Sequence, residues 1–479
     1  MLFNSFGFLL FFAAIVFVYY LTSHRYRWLV LLAASFYYYS TFNVQYVFIL
    51  LASTVIIYLV GVAIGAAQEH VKKKAFLIGG VLLSLLPLVV FKYLDFVTES
   101  LSFALGHEEP MISPLNLALP VGLSFYTFSC VSYLVDVYRG NLVPEYHFGR
   151  LALYVSFFPK LLAGPIERAT AFLPELRQTV RFNPVAVTQG LQLILWGLFK
   201  KVVIADRLGV YVDAAYKNPE FAAPVALLIA TYFFAFQIYC DFSGYTDIAI
   251  GSACILGINL MGNFRRPYLS TSVPEFWGKD RWHISLSGWF RDYLYIPMGG
   301  SHSSKSKVYR NQMAVFLVSG LWHGANWTFV IWGALNGLYQ IVTLLTVNVR
   351  NKLHKIFPMP TPVGSILGCL LTFHLILISW IFFRAASVTD ALTVLARLVE
   401  SIPQFPSLLV VYPYTGDLIL CGVLIAFLLV AEFSDEKRSL WARLESGPIY
   451  VRWSVYYVLL LSLIVMGKWN LKQFVYMQF

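Results

Sequence analysis

Two histidines, His283 and His323, each follow a tryptophan, Trp282 and Trp322. A neutral imidazole, with an unperturbed pKa near about 6.5, takes a proton from a hydroxyl and later returns it. Two such rings are suited to acid and base work on the two sides of a thioester. His323 lies within Met313–Val349, a stretch without Asp, Glu, Lys or Arg. A bilayer crossing needs about 20 apolar residues, and an ionisable side chain at that depth is costly enough to mark a functional position. On a continuous helix Ser319 and Asn326 share the face of His323, so either would fix its tautomer. Gly320 and Gly324 leave room beside it for a substrate or a tightly packed helix. The competing role for His323 is hydrogen-bonded packing between helices. His283, flanked by Asp280, Arg281 and Ser285, lies in an amphipathic segment where a structural histidine is equally ordinary.

The remaining polar chemistry concentrates between about 241 and 326. Asp241, Tyr245, Trp282, Ser285, Arg291, Asp292, Ser319, Trp322 and Asn326 are the candidates for lining a substrate path. Charges of both signs interleave with aromatics there, a mixture suited to a buried network or a cavity wall. Asp241 and Asp247 lack the further oxygen donors a hard cation needs, so no metal site is expected and the pair reads first as a structural polar knot. His24, His70, His107, His147, His302 and His354 fall in polar loops, and His374 reads as packed within an apolar helix. No phosphate-binding loop, dinucleotide fingerprint, H-E-x-x-H or G-x-S-x-G elbow is present. If the reaction includes a covalent acyl-serine step, that step is expected to belong to another protein. The five cysteines have no C-x-x-C spacing and read as small buried hydrophobes.

The elements that must position these residues are helices in a membrane. Of 479 residues 59% are hydrophobic and 12% charged, about half the charge of a soluble domain. The net charge of +11 is scattered over short loops such as Arg25–Arg27, Lys72–Lys74 and Lys305–Arg310. The positive-inside rule accounts for these loops without nucleic acid, with a lipid-headgroup or anionic-substrate role as the alternative for some of them. Apolar periodicity predicts helices near 2–21, 28–42, 45–67, 76–97, 115–137, 186–206, 222–240, 243–260, 313–347, 364–383, 415–433 and 451–467. The 313–347 run is expected to break near Gly320 or Gly333. That gives an all-α polytopic membrane protein with about 10–12 spans. Phe8–Leu21 reads as a retained first span, Phe157–Arg168 as a re-entrant or interfacial segment, and Thr389–Arg397 as a short surface helix.

Two longer motifs sharpen the chemistry: Trp282-His283-Ile284-Ser285-Leu286-Ser287-Gly288-Trp289-Phe290-Arg291-Asp292-Tyr293 and Gly320-Leu321-Trp322-His323-Gly324-Ala325-Asn326. With Leu119–Tyr126, Asp136–Gly140, Ala163–Ile166, Asp241–Gly251 and the terminal Phe474–Phe479, the chain resembles the membrane-bound O-acyltransferases, in particular the bacterial alginate O-acetyltransferase branch. The resemblance runs nearly end to end. It implies a single domain over 1–479 with a catalytic core about 115–347, and a ring of transmembrane helices around a thin centre with funnels to both faces. It places the family's catalytic histidine on His323 and its second histidine on His283. It further implies acetyl-CoA or another acyl thioester as donor and no bound cofactor. An extracytoplasmic esterase-like (SGNH-type) partner would relay the acetyl group to a polysaccharide, with the enzyme in the bacterial inner membrane. The basic loop Gly299–Arg310 would then face the donor. Gly278-Lys279-Asp280 interrupts a usually more continuous Trp-Arg-Arg-Trp-His run, which touches donor contacts rather than the reaction class. Peptidoglycan, cellulose or D-alanyl transfer to teichoic acid are alternative outcomes of the same chemistry; a histidine-gated transporter or an export-complex scaffold is the alternative outside it.

Overall fold

A backbone amide in a bilayer has no water to bond to, so a long apolar run closes its hydrogen bonds within itself as a helix. The described chain obeys this rule and consists of helices and their connections, without strands among the described residues. The structure, a computed structural model, describes residues 1–107, 109–278, 280–356, 360–401, 415–437, 439–469 and 474–475. Lys279, the side chain of His354 and residues 476–479 of the terminal motif lie outside that set.

Among the described residues seven helices are long and apolar enough to cross a membrane: Val44–Ala66, His70–Ala104, Pro224–Ile255, Trp327–Leu345, Thr361–Arg384, Gly416–Glu436 and Ile449–Met466. Phe6–Leu21 is a shorter apolar helix of the same kind. Large side chains such as Phe48, Leu82 and Leu371 are exposed, which suits lipid as solvent. The protein is an all-α, multi-pass membrane protein. Two expected helices, 222–240 and 243–260, are one continuous helix, Pro224–Ile255. The Met313–Val349 stretch breaks after His323 and again at Thr346, and at neither Gly320 nor Gly333.

The residues group into two compact units. Of the described residues, the first comprises 1–194 and 245–262. In it Leu123–Arg139, buried along nearly its whole length, packs on Val44–Ala66 and His70–Leu88. The Phe157–Arg168 segment is buried, and protein groups meet its backbone. Phe158 N donates to Ser35 Oγ at 3.1 Å, Gly164 N to Lys160 O at 3.1 Å, and Tyr154 Oη to Glu167 O at 3.0 Å. Lys160 Nζ lies 4.4 Å from the centre of the Tyr154 ring, a cation–π contact that suits a buried ammonium.

The second unit comprises residues 195–244 and 263–475. Its framework is the antiparallel pair Lys305–His323 and Trp327–Leu345, against which Thr361–Arg384 packs. Glycines set the closeness of the pair. A Cβ on Gly320 would lie 3.4 Å from Gly333 Cα and collide with the Phe329 carbonyl; one on Gly333 would collide with the Phe316 carbonyl. Gly337, four residues on, meets Met313 and Phe316 in the same way. This is the small-residue stripe by which membrane helices gain van der Waals contact without a hydrophobic driving force. Thus Gly320 serves helix packing, one of the two uses its position suggests.

Candidate active site

His323 is the last residue of Lys305–His323 and is buried. Gly324 follows in an extended conformation, and any Cβ there would strike the Phe329 ring. Asn326 then caps the next helix, its Oδ1 accepting from Thr328 N at 2.9 Å while its Nδ2 donates to Ala386 O at 3.1 Å. The helix therefore ends before Asn326, which does not share a helical face with His323. The expectation that it does is corrected by an extended turn and an Asx cap, signals that Asn followed by Thr two residues on carries. Ser319, one turn earlier, remains on the histidine's helix.

Aromatic rings enclose the imidazole. Trp332 stands edge-on with centroids 4.9 Å apart, Phe383 at 5.2 Å and Trp322 at 4.8 Å. Trp322 also faces the second histidine, its ring centre 6.0 Å from that of His283. The structure thus brings the two Trp-His motifs together, with one tryptophan between the imidazoles.

His283 reaches this place through an uncommon backbone. Its φ of 45° and ψ of 55° are left-handed, a region that costs a non-glycine residue roughly 1–3 kcal/mol. Asn263 holds it there: Ile284 N donates to Asn263 O at 2.9 Å, and both Ser285 N (3.1 Å) and Ser285 Oγ (2.9 Å) donate to Asn263 Oδ1. The adjacent bond from Arg265 N to Arg281 O at 2.9 Å extends the clamp. Ser285 is therefore a positioning residue for the His283 turn. The imidazole packs edge-on against Phe242 at 4.7 Å and parallel to Phe264 at 6.4 Å. Burial in that apolar setting disfavours the imidazolium and pushes the His283 pKa down to about 3.

Trp282 joins the aromatic cluster behind the imidazoles, meeting Phe264 at 5.1 Å. It lies parallel to Phe276 at 5.4 Å and touches Trp380 at 5.0 Å, which in turn stacks on Trp332 at 6.0 Å. Trp277 meets Trp332 edge-on at 5.5 Å, and its indole donates to Asn336 Oδ1 at 2.9 Å. The indole N–H groups of Trp332 and Trp380 are buried and make no hydrogen bond. Trp277, Trp332, Trp380, Phe383, Phe264, Asn263 and Asn336 were not among the sequence candidates. Tryptophan spaced through apolar helices reads the same whether it faces lipid or a site, so only the structure singles them out.

A cavity of about 290 Å³ adjoins this cluster. Ser287, Arg291, Tyr295, Gln312, Ser319 and Gln340 supply its polar wall, and Trp277, Phe290 and Phe316 part of its apolar wall. Arg291 pairs with Asp292 at 2.8 Å beside it. Asp241 is placed differently. It accepts from Lys201 Nζ at 2.5 Å and from Val475 N at 2.7 Å, and Lys201 also pairs with Asp206 at 2.8 Å. Only its neighbour Phe242 touches a site histidine. Tyr245 belongs to the other unit, where it stacks on Phe3 at 4.6 Å. His374 is hydrogen-bonded, Nε2 with Tyr232 Oη at 2.9 Å and Nδ1 with Leu370 O at 2.7 Å.

The sequence profile of MBOAT, the membrane-bound O-acyltransferase family, matches residues 36–388. A relative named "Probable alginate O-acetylase AlgI" in Pseudomonas aeruginosa is 38% identical over 397 residues, covering 82% of this chain and 73% of its own. A "Peptidoglycan O-acetyltransferase" of Helicobacter pylori is 36% identical over 401 residues, 78% of this chain and 73% of its own. A "Teichoic acid D-alanyltransferase" of Bacillus subtilis is 29% identical over 317 residues, 64% of this chain and 76% of its own. With a family profile spanning most of the chain and relatives matched over about four-fifths of it, the protein belongs to the membrane-bound O-acyltransferase family and is an acyltransferase.

Proposed function

We propose that this acyltransferase moves an acetyl group from acetyl-CoA on the cytoplasmic side of the inner membrane to an acceptor hydroxyl on an extracytoplasmic partner, for O-acetylation of a polysaccharide such as alginate. The observation that carries the reading is the meeting of His323 and His283 around Trp322 in a buried aromatic enclosure. His323 is the general base. It takes the proton of the acceptor hydroxyl as the oxygen attacks the thioester carbonyl. The carbon–oxygen bond forms, the carbon–sulfur bond breaks, and the imidazolium returns the proton to the departing thiolate. His323 ends a helix, where the carbonyl dipoles favour the positive charge it gains. His283, neutral at physiological pH, has an N–H to offer rather than a charge, and the Trp332 indole is a second donor for the developing oxyanion.

The 290 Å³ cavity suits the acyl-pantetheine arm: Gln312, Gln340 and the serines match its amides, and Arg291 and the basic residues of the Gly299–Arg310 loop match its phosphates. Acetyl is favoured over D-alanyl by the higher identity to the relatives named for O-acetyl transfer. Alginate and peptidoglycan are closely matched on that measure, 38% and 36%. The test is acetyl transfer from radiolabelled acetyl-CoA by the full chain in vesicles. His323→Ala lowers the rate by about 10²–10⁴, the usual contribution of a general base. A normally folded His323→Ala protein with full transfer defeats the assignment.

A further inference from the structure

A cavity of about 120 Å³ lies in the first unit where Phe6–Leu21 ends and His24–Ser40 begins. Its wall carries Arg25, Arg27, Arg150, Arg177 and His24 against one carboxylate, Glu175. Two of the guanidiniums are already engaged. Arg27 donates to Thr22 O at 3.0 Å and Val180 O at 2.6 Å, and Arg177 pairs with Glu145 at 2.5 Å. Glu175 is engaged as well, accepting from Asn259 N at 2.6 Å and from its Nδ2 at 3.2 Å. With Glu145 counted, the arginines still outnumber the carboxylates by two. Arg150 Nε and His24 Nδ1 are buried and meet no hydrogen-bond partner. A buried donor left so costs about 1–3 kcal/mol, which an external acceptor oxygen recovers.

The surroundings identify the source of that oxygen. Trp28 packs on His147 and Gly149, and Tyr138 bonds His70 at 3.1 Å, so the 22–28, 67–74 and 138–150 connections share one end of the unit. That end carries Lys72–Lys74 and Arg139 besides the cavity's arginines, whereas the 41–43 and 105–122 connections contain no Lys or Arg. By the positive-inside rule this is the cytoplasmic end, and Tyr19 and Trp28 on the cavity wall supply the aromatic belt of an interface. Exposed Leu21, Tyr26 and Leu29 offer apolar surface for acyl chains beside the charged wall. The volume equals about four waters at about 30 Å³ each, the scale of one phosphate group.

We propose that this cavity binds the phosphate of an anionic phospholipid headgroup in the cytoplasmic leaflet. The test is native mass spectrometry of the purified full chain with phosphatidylglycerol and with phosphatidylcholine. Preferential binding of phosphatidylglycerol is expected. The Arg25→Gln, Arg150→Gln double variant weakens it about 30-fold and leaves phosphatidylcholine binding unchanged, while millimolar inorganic phosphate fails to compete. Unaltered phosphatidylglycerol binding in the double variant overturns the site. Loss of both lipids together also overturns it, since that signals a disturbed lipid shell. Displacement by inorganic phosphate overturns the lipid assignment in favour of a soluble anion. Arg25→Gln alone alters only an exposed side chain, and it gives about a fivefold loss if the double variant does not fold.

Discussion

His283 combines a left-handed backbone, a buried ring and a pKa held near 3 by desolvation. In the unfolded chain the same imidazole titrates near about 6.5. Between those values the unfolded state binds more protons than the folded one, so this group's contribution to stability is full above about 6.5 and is lost progressively as the pH falls towards 3. The slope approaches about 1.4 kcal/mol per pH unit. Thermal midpoints of wild type and His283→Gln, each measured at pH 7.5 and pH 5, are expected to diverge, with the wild type losing more. Equal losses mean that the ring is not held neutral by burial. His323 stands out in sequence because a titratable side chain among apolar residues is rare and expensive, whereas His283, set among Asp280, Arg281 and Ser285, stands out only through the motif around it. The aromatic enclosure was not legible, because Trp332, Trp380 and Phe383 have the types expected of any apolar helix. Asp241 was singled out as half of an Asp241–Asp247 pair, and its true partner, Lys201, lies forty positions earlier on another helix.

At the scale of the element, apolar periodicity located the helices well and their breaks less well. Gly320 and Gly333 draw the eye as breakers, since glycine disfavours helices by about 1 kcal/mol. In the folded protein both lie within helices, Gly320 in the last turn of Lys305–His323, and the missing Cβ lets that helix and Trp327–Leu345 touch backbone to backbone. The real break at Gly324–Asn326 was written in the Asn326 cap, a weaker signal than two glycines within an apolar run. The close crossing fixes where His323 ends up, so its disruption propagates to the site. Gly320→Val is expected to lower thermal stability by about 1–3 kcal/mol through overpacking and to reduce transfer by more than tenfold, because sub-ångström placement of a base matters. Gly364→Val, at a glycine whose added Cβ meets nothing, leaves both unchanged. If Gly320→Val retains wild-type midpoint and rate, the crossing does not position the histidine.

The molecule as a whole is almost entirely membrane, with 12% charged residues and seven described helices fit to span a bilayer. With the 290 Å³ cavity assigned to the donor arm, an acceptor meets His323 within the enclosure of Trp322, Trp332 and Phe383. A polysaccharide strand pressed into that enclosure would strip water from several hydroxyls at once, each costing about 1–3 kcal/mol unless rebonded, against aromatic walls. A single hydroxyl on a narrow protein projection faces no such cost. On the proposed mechanism, a serine-bearing partner is therefore the expected acceptor at His323, ahead of the polymer itself. Vesicles containing the full chain and radiolabelled acetyl-CoA are expected to leave added alginate unlabelled. Label should reach the polymer only when an extracytoplasmic esterase-like protein with an intact nucleophilic serine is supplied, and that protein's Ser→Ala form should stay unlabelled. Acetylation of alginate at an undiminished rate without any partner refutes the relay, and places the polymer hydroxyl itself at His323.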